Sequence, residues 1–134
     1  TTETIGMGDS KRVKKSINLK TVGLGGCTVC VLNGEKDNFI AHVNSHCSLK
    51  MAKQNIDLWE TEAKTIGAHK LTIYMGLFMD VGEIPTTHEE THFINQFVTM
   101  PLEFKYYNID DPISNGMISI LNDNVSEINS LLHF

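Results

Sequence analysis

The sequence predicts a layered α/β domain, with a mixed or largely antiparallel sheet or sheets flanked by helices. Three observations predict it. The 134 residues suit one domain with a substantial core. Two segments, 48–67 and 87–100, carry apolar residues at helical spacing. The other apolar residues fall in short β-branched or aromatic runs bounded by turn residues. The expected order is β-β-β-α-β-α-β-β, in a single domain over 13–134 that follows a loose lead-in over 1–12.

Residues 1–10 are polar and carry two glycines, which suits the lead-in. Val13 to Lys20 alternates around Val13, Ile17 and Leu19 and is expected as one strand. Thr28 to Leu32 is dense in apolar and β-branched residues, Asn33-Gly34 is a turn signal, and Asn38 to Asn44 resumes the alternation. Together they predict a β-hairpin. Leu49, Ala52, Ile56, Trp59, Ala63 and Ile66 form one helical stripe, with Ser48 suited to the N-cap and Gly67 to the stop. Lys70 to Phe78 reads as a buried strand. Thr87 to Met100 is a second helix ended by Pro101, with Thr87 and Glu90 as a capping box. Leu102 to Tyr107 is a strand, Asp110-Asp111-Pro112 and Asn115-Gly116 are turns, and Met117 to Leu121 is a further strand. Val125 to Phe134 is open between helix and strand.

Composition narrows the function. A net charge of −5 argues against nucleic acid as the main partner, and Lys11, Arg12, Lys14 and Lys15 read as solvated surface. No apolar stretch approaches the ~20 residues of a membrane span, and no secretory apolar region lies near the start. The first residue is Thr1 and not a methionine, which leaves both further residues upstream and the scar of a tag open. Cys27, Cys30 and Cys47 are too few, and odd in number, for a disulfide scaffold. Synthesis in a reducing cytoplasm is expected, with later delivery elsewhere left open.

Residues 21–27 read Thr-Val-Gly-Leu-Gly-Gly-Cys, and His42 follows fifteen residues after the cysteine. A cysteine closing a glycine-rich turn, with a histidine on the next strand, is a candidate nucleophile and base. Gly25 and Gly26 let the backbone approach a substrate and offer N–H groups to an oxyanion. Two hairpin registers are open, one with Gly34-Glu35 as the loop and one with residue 32 opposite 35. Both put Cys27 and His42 on one face, at Cβ separations of roughly 5–8 Å. A thiolate–imidazolium pair there would lower the Cys27 pKa. The pairing expects the imidazole within ~4 Å of the sulfur. His46, of the same strand parity, is the fallback base. The bland alternative is a buried thiol beside a histidine satisfied at a sheet edge.

Three rivals compete. His88-Glu89-Glu90-Thr91-His92 fits the HExxH zinc-hydrolase pattern, with His88, Glu89 and His92 as the working residues. Phe93, Ile94, Phe97, Val98 and Met100 mark the buried face of that helix, so the two histidines are expected on a solvated face. Cys27, Cys30, His42 and His46 approach a zinc spacing, but an i, i+3 pair on a strand points to opposite faces. The same geometry argues against a redox pair, and Cys30 and Cys47 read as buried thiols. A non-enzymatic reading makes Trp59, Tyr74, Tyr106 and Tyr107 a protein-binding surface, against the commoner role of filling the core.

The segment Thr21-x-Gly-Leu-Gly-Gly-Cys27, followed by Ala41-His42-Val43, resembles the chemoreceptor glutamine deamidase family CheD. That family carries Thr-x-Gly-Leu-Gly-Ser-Cys and a downstream Ala/Asn-His. The Gly-Gly-Cys-Thr stretch also looks like the cytotoxic necrotizing factor and Burkholderia lethal factor toxins, which share that core and carry Leu-Ser-Gly-Cys. The resemblance covers about residues 17–45. After His42 the chain departs, with Asn44-Ser45-His46 in place of Met-Leu-Pro and no later Gly-Gly-Ala segment. A chemoreceptor branch and a toxin or effector branch are both open.

The resemblance implies a deamidase core and a cysteine-dependent hydrolase acting on a protein glutamine. Cys27 is then the nucleophile, His42 the general base and acid, and Thr21 the residue that orients the histidine. The Gly26 and Cys27 amides hold the oxyanion, with Gly25 beside them. No metal or cofactor is required. The partner is a protein substrate, the chain itself is expected to be a monomer, and the setting is a bacterial cytoplasm or a host cell entered by delivery.

Overall fold

The computed structural model describes residues 1–24, 26–46, 48–76, 87–107, 116–121, 124–127 and 131–132. Gly25, Cys47, Phe78, the Asp110–Pro112 turn and Asn115 lie outside them. The elements are β1 (Thr2–Ile5), β2 (Ser10–Lys14), β3 (Asn18–Leu24), β4 (Thr28–Asn33), β5 (Asp37–Val43), α1 (Leu49–Ile66), β6 (Leu71–Gly76), α2 (Thr87–Asn95), β7 (Leu102–Tyr107), β8 (Gly116–Leu121), β9 (Asn124–Glu127) and β10 (Leu131–Leu132). They form a mixed α/β domain. A six-stranded sheet runs β10-β7-β6-β4-β5-β2, and a four-stranded sheet runs β1-β3-β8-β9. Pairing is antiparallel except for β6–β7 and β1–β3.

The six-stranded sheet is the middle of three layers. Its alternate residues Cys30, Leu32, Phe39, Ala41, Ile73 and Met75 pack against Ala52, Ile56, Trp59 and Ile66 of α1 and Ile94 of α2. Its other face, with Val29, Val31, Ile40, Tyr74 and Tyr107, packs against Ile5, Leu19, Leu24 and Ile120 of the smaller sheet. The period-2 alternation of a strand thus feeds two cores at once. No helix among the described residues is long and apolar enough to cross a membrane.

Helix α1 is set by its ends. Ser48 accepts from the Met51 N–H at 3.2 Å, and Gly67 closes the helix at φ 75°, with its N–H on the Ala63 carbonyl. Leu49, expected in the apolar stripe, is instead 48% exposed. The second helix ends at Asn95, short of the expected Met100. The buried Glu60 of α1 draws the following chain aside, accepting from the Thr99 N–H at 2.7 Å and the Thr99 hydroxyl at 2.8 Å.

Three expectations are corrected. The lead-in is not loose, because β1 pairs in parallel with β3 and Ile5 is buried. The strand expected over 13–20 is two strands in different sheets, broken at residues 15–17 where the Ile17 N–H returns to the Lys14 carbonyl at 2.9 Å. The hairpin takes neither expected register, since Asn33 stands opposite Asn38. A wider loop forms because it docks on the end of α1. The Glu35 and Lys36 N–H groups donate to the Gly67 and Ile66 carbonyls at 3.2 and 3.0 Å. A Cβ on Gly34 would lie 2.4 Å from the Ile66 carbonyl oxygen, so only glycine fits there.

Candidate active site

The observed register differs from both expected ones by whole steps of two residues. Strand faces are therefore unchanged. His42 stands directly opposite Val29, and Val29 lies in the core between the sheets. Cys27 lies one residue before β4; the β4 alternation, if carried back to it, would bring it to that face diagonal to His42, a spacing of roughly 7–8 Å between Cβ atoms. The tie is looser than expected, for no hydrogen bond joins the Cys27 thiol to His42 Nε2.

His42 is inside the sheet, between β4 and β2, and 1% exposed. It is not an edge residue. The exposed loop between β1 and β2 grips its backbone, as the Gly8 N–H donates to the His42 carbonyl at 2.7 Å and the His42 N–H to the Asp9 carbonyl at 3.0 Å. Its ring meets the other sheet. Thr21 of β3, fully buried, places its hydroxyl 2.8 Å from His42 Nδ1 and donates its own proton to the Ile5 carbonyl at 2.9 Å. A hydroxyl has one proton, so Thr21 must accept from Nδ1–H. The neutral ring then carries its lone pair on Nε2. That Nε2 is the one buried side-chain nitrogen or oxygen among the described residues with no hydrogen-bond partner. Buried polar atoms are rarely left so.

A bulge makes this possible. Pairing of β3 with β8 shifts by one residue between Thr21 and Leu24, where Gly23 takes φ 77°. Leu19, Thr21 and Leu24 all face the core, while Val22 and Gly23 are exposed. Without the extra residue, Thr21 and Leu24 would face opposite sides of the sheet.

The chain around Cys27 is held on several sides. The Tyr107 hydroxyl accepts from the Gly26 N–H at 3.0 Å and donates to the Cys27 carbonyl at 2.5 Å. Burial raises the Tyr107 pKa far above the ordinary phenol, which keeps that proton in place. The Ser45 hydroxyl donates to the Gly26 carbonyl at 2.6 Å. This corrects one expectation, because the Gly26 N–H is already used by Tyr107 and does not face an oxyanion site. Gly25 lies outside the described residues.

The expected lowering of the thiol pKa is also corrected. Burial first, and the charge of Glu90 second, raise the Cys27 pKa, while burial lowers that of His42. Both shifts favour the neutral forms of the thiol and the imidazole. Cys30 is fully buried in the helix-side core, and burial lifts its thiol still further.

The rival sets do not converge. His88, Glu89 and His92 are exposed. No group of three His, Cys, Asp or Glu side chains suited to a metal occurs among the described residues. Cys30 faces the helices, away from His42. His46, the fallback base, has both ring nitrogens engaged, Nδ1 with Glu90 at 2.7 Å and Nε2 with Asn55 at 2.9 Å. Trp59, Tyr74 and Tyr107 are buried and Tyr106 is partly so, which removes the proposed aromatic binding surface.

Sequence reasoning missed Tyr107, Ser45 and Glu90. Glu90 had a signal. It lies four residues before Ile94 on the buried stripe of α2, which marks it as inward facing. Tyr107 had none, since nothing local links residue 107 to residue 26. No protein-family model matches the chain, and no curated protein matches its sequence.

Proposed function

We propose that the chain is a cysteine-dependent protein-glutamine deamidase with Cys27 as nucleophile, His42 as general base and acid, and Thr21 as the residue that orients His42. One observation carries the reading. His42 is buried, its Nδ1–H is committed to Thr21, and its Nε2 has no hydrogen-bond partner. A histidine serving structure alone would satisfy both nitrogens, as His46 does.

The chemistry starts from the neutral pair. As Cys27 Sγ attacks the side-chain amide carbon of a glutamine, its proton passes to Nε2. The imidazolium is stabilised by the Thr21 hydroxyl oxygen at Nδ1. The Cys27 N–H meets the oxyanion of the tetrahedral intermediate. Nε2 returns the proton to the nitrogen of the leaving ammonia, which gives a thioester. The same nitrogen then takes a proton from water, whose oxygen attacks the thioester and frees glutamate and the thiol. No cofactor enters these steps. The resemblance of residues 17–45 to the CheD and necrotizing-factor deamidases supports the choice of substrate class.

The test is incubation with candidate protein partners, read by peptide mass spectrometry. Wild-type protein converts one glutamine to glutamate, and Cys27→Ser does not. Conversion by Cys27→Ser at the wild-type rate refutes the assignment.

A further inference from the structure

Helix α2 turns one acidic side chain inward. Glu90 is 2% exposed, whereas its neighbours His88, Glu89 and His92 face solvent. One of its oxygens, Oε2, accepts from the Thr28 hydroxyl at 2.6 Å, the His46 N–H at 2.8 Å and His46 Nδ1 at 2.7 Å. A buried carboxylate is costly unless donors meet it, and here three converge on one atom.

The two residues it holds adjoin the Cys27 turn. Thr28 follows Cys27 directly. His46 follows Ser45, whose hydroxyl holds the carbonyl of Gly26 at 2.6 Å. The carboxylate therefore pins both chain segments that frame the Cys27 turn. His46 is in turn fixed from α1, by the Asn55 amide at 2.9 Å and by Trp59 edge-on at 5.7 Å between ring centroids.

We propose that Glu90 is a positioning residue for the Cys27 thiol, acting through Thr28 and His46. Its effect on turnover rests on the deamidase reading; its effect on the thiol does not. Its charge is felt there, for it follows burial as a cause of the raised Cys27 pKa. The titratable groups around the carboxylate are His46 from the end of β5, Cys27 from the turn before β4 and Tyr107 from the end of β7. From α1, neutral Asn55 and Trp59 reach the His46 ring.

The experiment compares Glu90→Gln and Glu90→Ala with wild type. Glutamine keeps an acceptor oxygen for Thr28 and His46 but removes the charge; alanine removes both. Iodoacetamide labelling, assigned to Cys27 by mass spectrometry, is followed against pH, with thermal melting as the check on folding. The expected result is a Glu90→Gln labelling profile displaced to lower pH. On a deamidation substrate, Glu90→Ala loses about a hundredfold in turnover, the scale of a misplaced reacting group, and glutamine restores part of it. A folded Glu90→Ala whose Cys27 labels as wild type in both rate and pH profile overturns the proposal, as does a folded Glu90→Ala with wild-type turnover. Labelling needs no protein substrate. If the deamidase reading fails, it fails in the wild-type assay, and the labelling profiles still decide the role of Glu90.

Discussion

Replacing Thr21 by valine keeps the shape of the side chain and removes its hydroxyl. Two contacts are lost, to the Ile5 carbonyl at 2.9 Å and from His42 Nδ1 at 2.8 Å. Each stranded buried group costs about 1–3 kcal/mol. The Ile5 carbonyl belongs to the pairing of β1 with β3, so its share is at the low end. The added methyl group returns about 0.8 kcal/mol. The net loss is about 2 kcal/mol, or a fall in melting temperature of about 8 °C for a domain of this size. The second consequence is chemical. One neutral hydrogen bond fixes the ring proton on Nδ1, and its loss, about 1 kcal/mol, removes a roughly fivefold preference for the Nδ1–H tautomer. Thr21→Ser keeps the hydroxyl and serves as the control. Nitrogen NMR of the labelled imidazole reads the tautomer directly, alongside calorimetry and substrate turnover. If Thr21→Val melts with wild type and its His42 still protonates Nδ1 to the wild-type extent, the reasoning is wrong.

Four further outcomes are expected. Alkylation of Cys27 in the free protein inflects at higher pH than a small cysteine peptide measured alongside, because burial and Glu90 raise its pKa; an inflection below the peptide's contradicts this. The lowered pKa of His42 means that the unfolded chain binds its proton more readily, so stability falls as pH drops through and below about 6.5. Urea midpoints for wild type and His42→Leu therefore draw together between pH 7.5 and 5.5, and a constant gap counts against the shift. Cys30→Ala leaves Cys27 labelling unchanged and costs about 1 kcal/mol by opening a small cavity in the helix-side core, read by urea unfolding. Gly34→Ala costs about 1–3 kcal/mol, since its Cβ would meet the Ile66 carbonyl at 2.4 Å, and a wild-type melting curve would show that the hairpin loop is not seated there.

Local signals were legible where local chemistry decides. Helix α1 runs from the expected serine cap to the expected glycine stop, because both ends are made by side chain and backbone within a few residues. The face taken by His42, shared with Val29 and Ile40, is one that alternation keeps through any error of two in register. What failed was non-local. Strand β1 is four residues, Thr-Glu-Thr-Ile, with little apolar pattern, and becomes a strand through its ladder with β3. The break between β2 and β3 carries no glycine or proline. The hairpin register was decided by the end of α1, some thirty residues on from Gly34. Tyr107 reaches Gly26 and Cys27 across 81 and 80 positions of sequence, and Glu90 reaches Thr28 across 62. Such contacts leave no trace in spacing.

The hydrogen bond between Thr21 and His42 crosses from one sheet to the other. His42 rides on the six-stranded sheet, with Cys27 just ahead of its strand β4, while the atoms that hold the imidazole proton, the Thr21 hydroxyl and the Ile5 carbonyl behind it, ride on the four-stranded one. The tautomer of His42 is therefore set where the two sheets dock. A chain that had assembled only the larger sheet and its helices would hold the imidazole with its tautomer unset. A cut in the exposed loop of residues 6–9 would sever β1 from β2 and release both the Ile5 carbonyl and the grip on the His42 backbone. The first strand thus bears on the proton of His42 from a distance, and a protease able to reach that loop would loosen the ring without touching it.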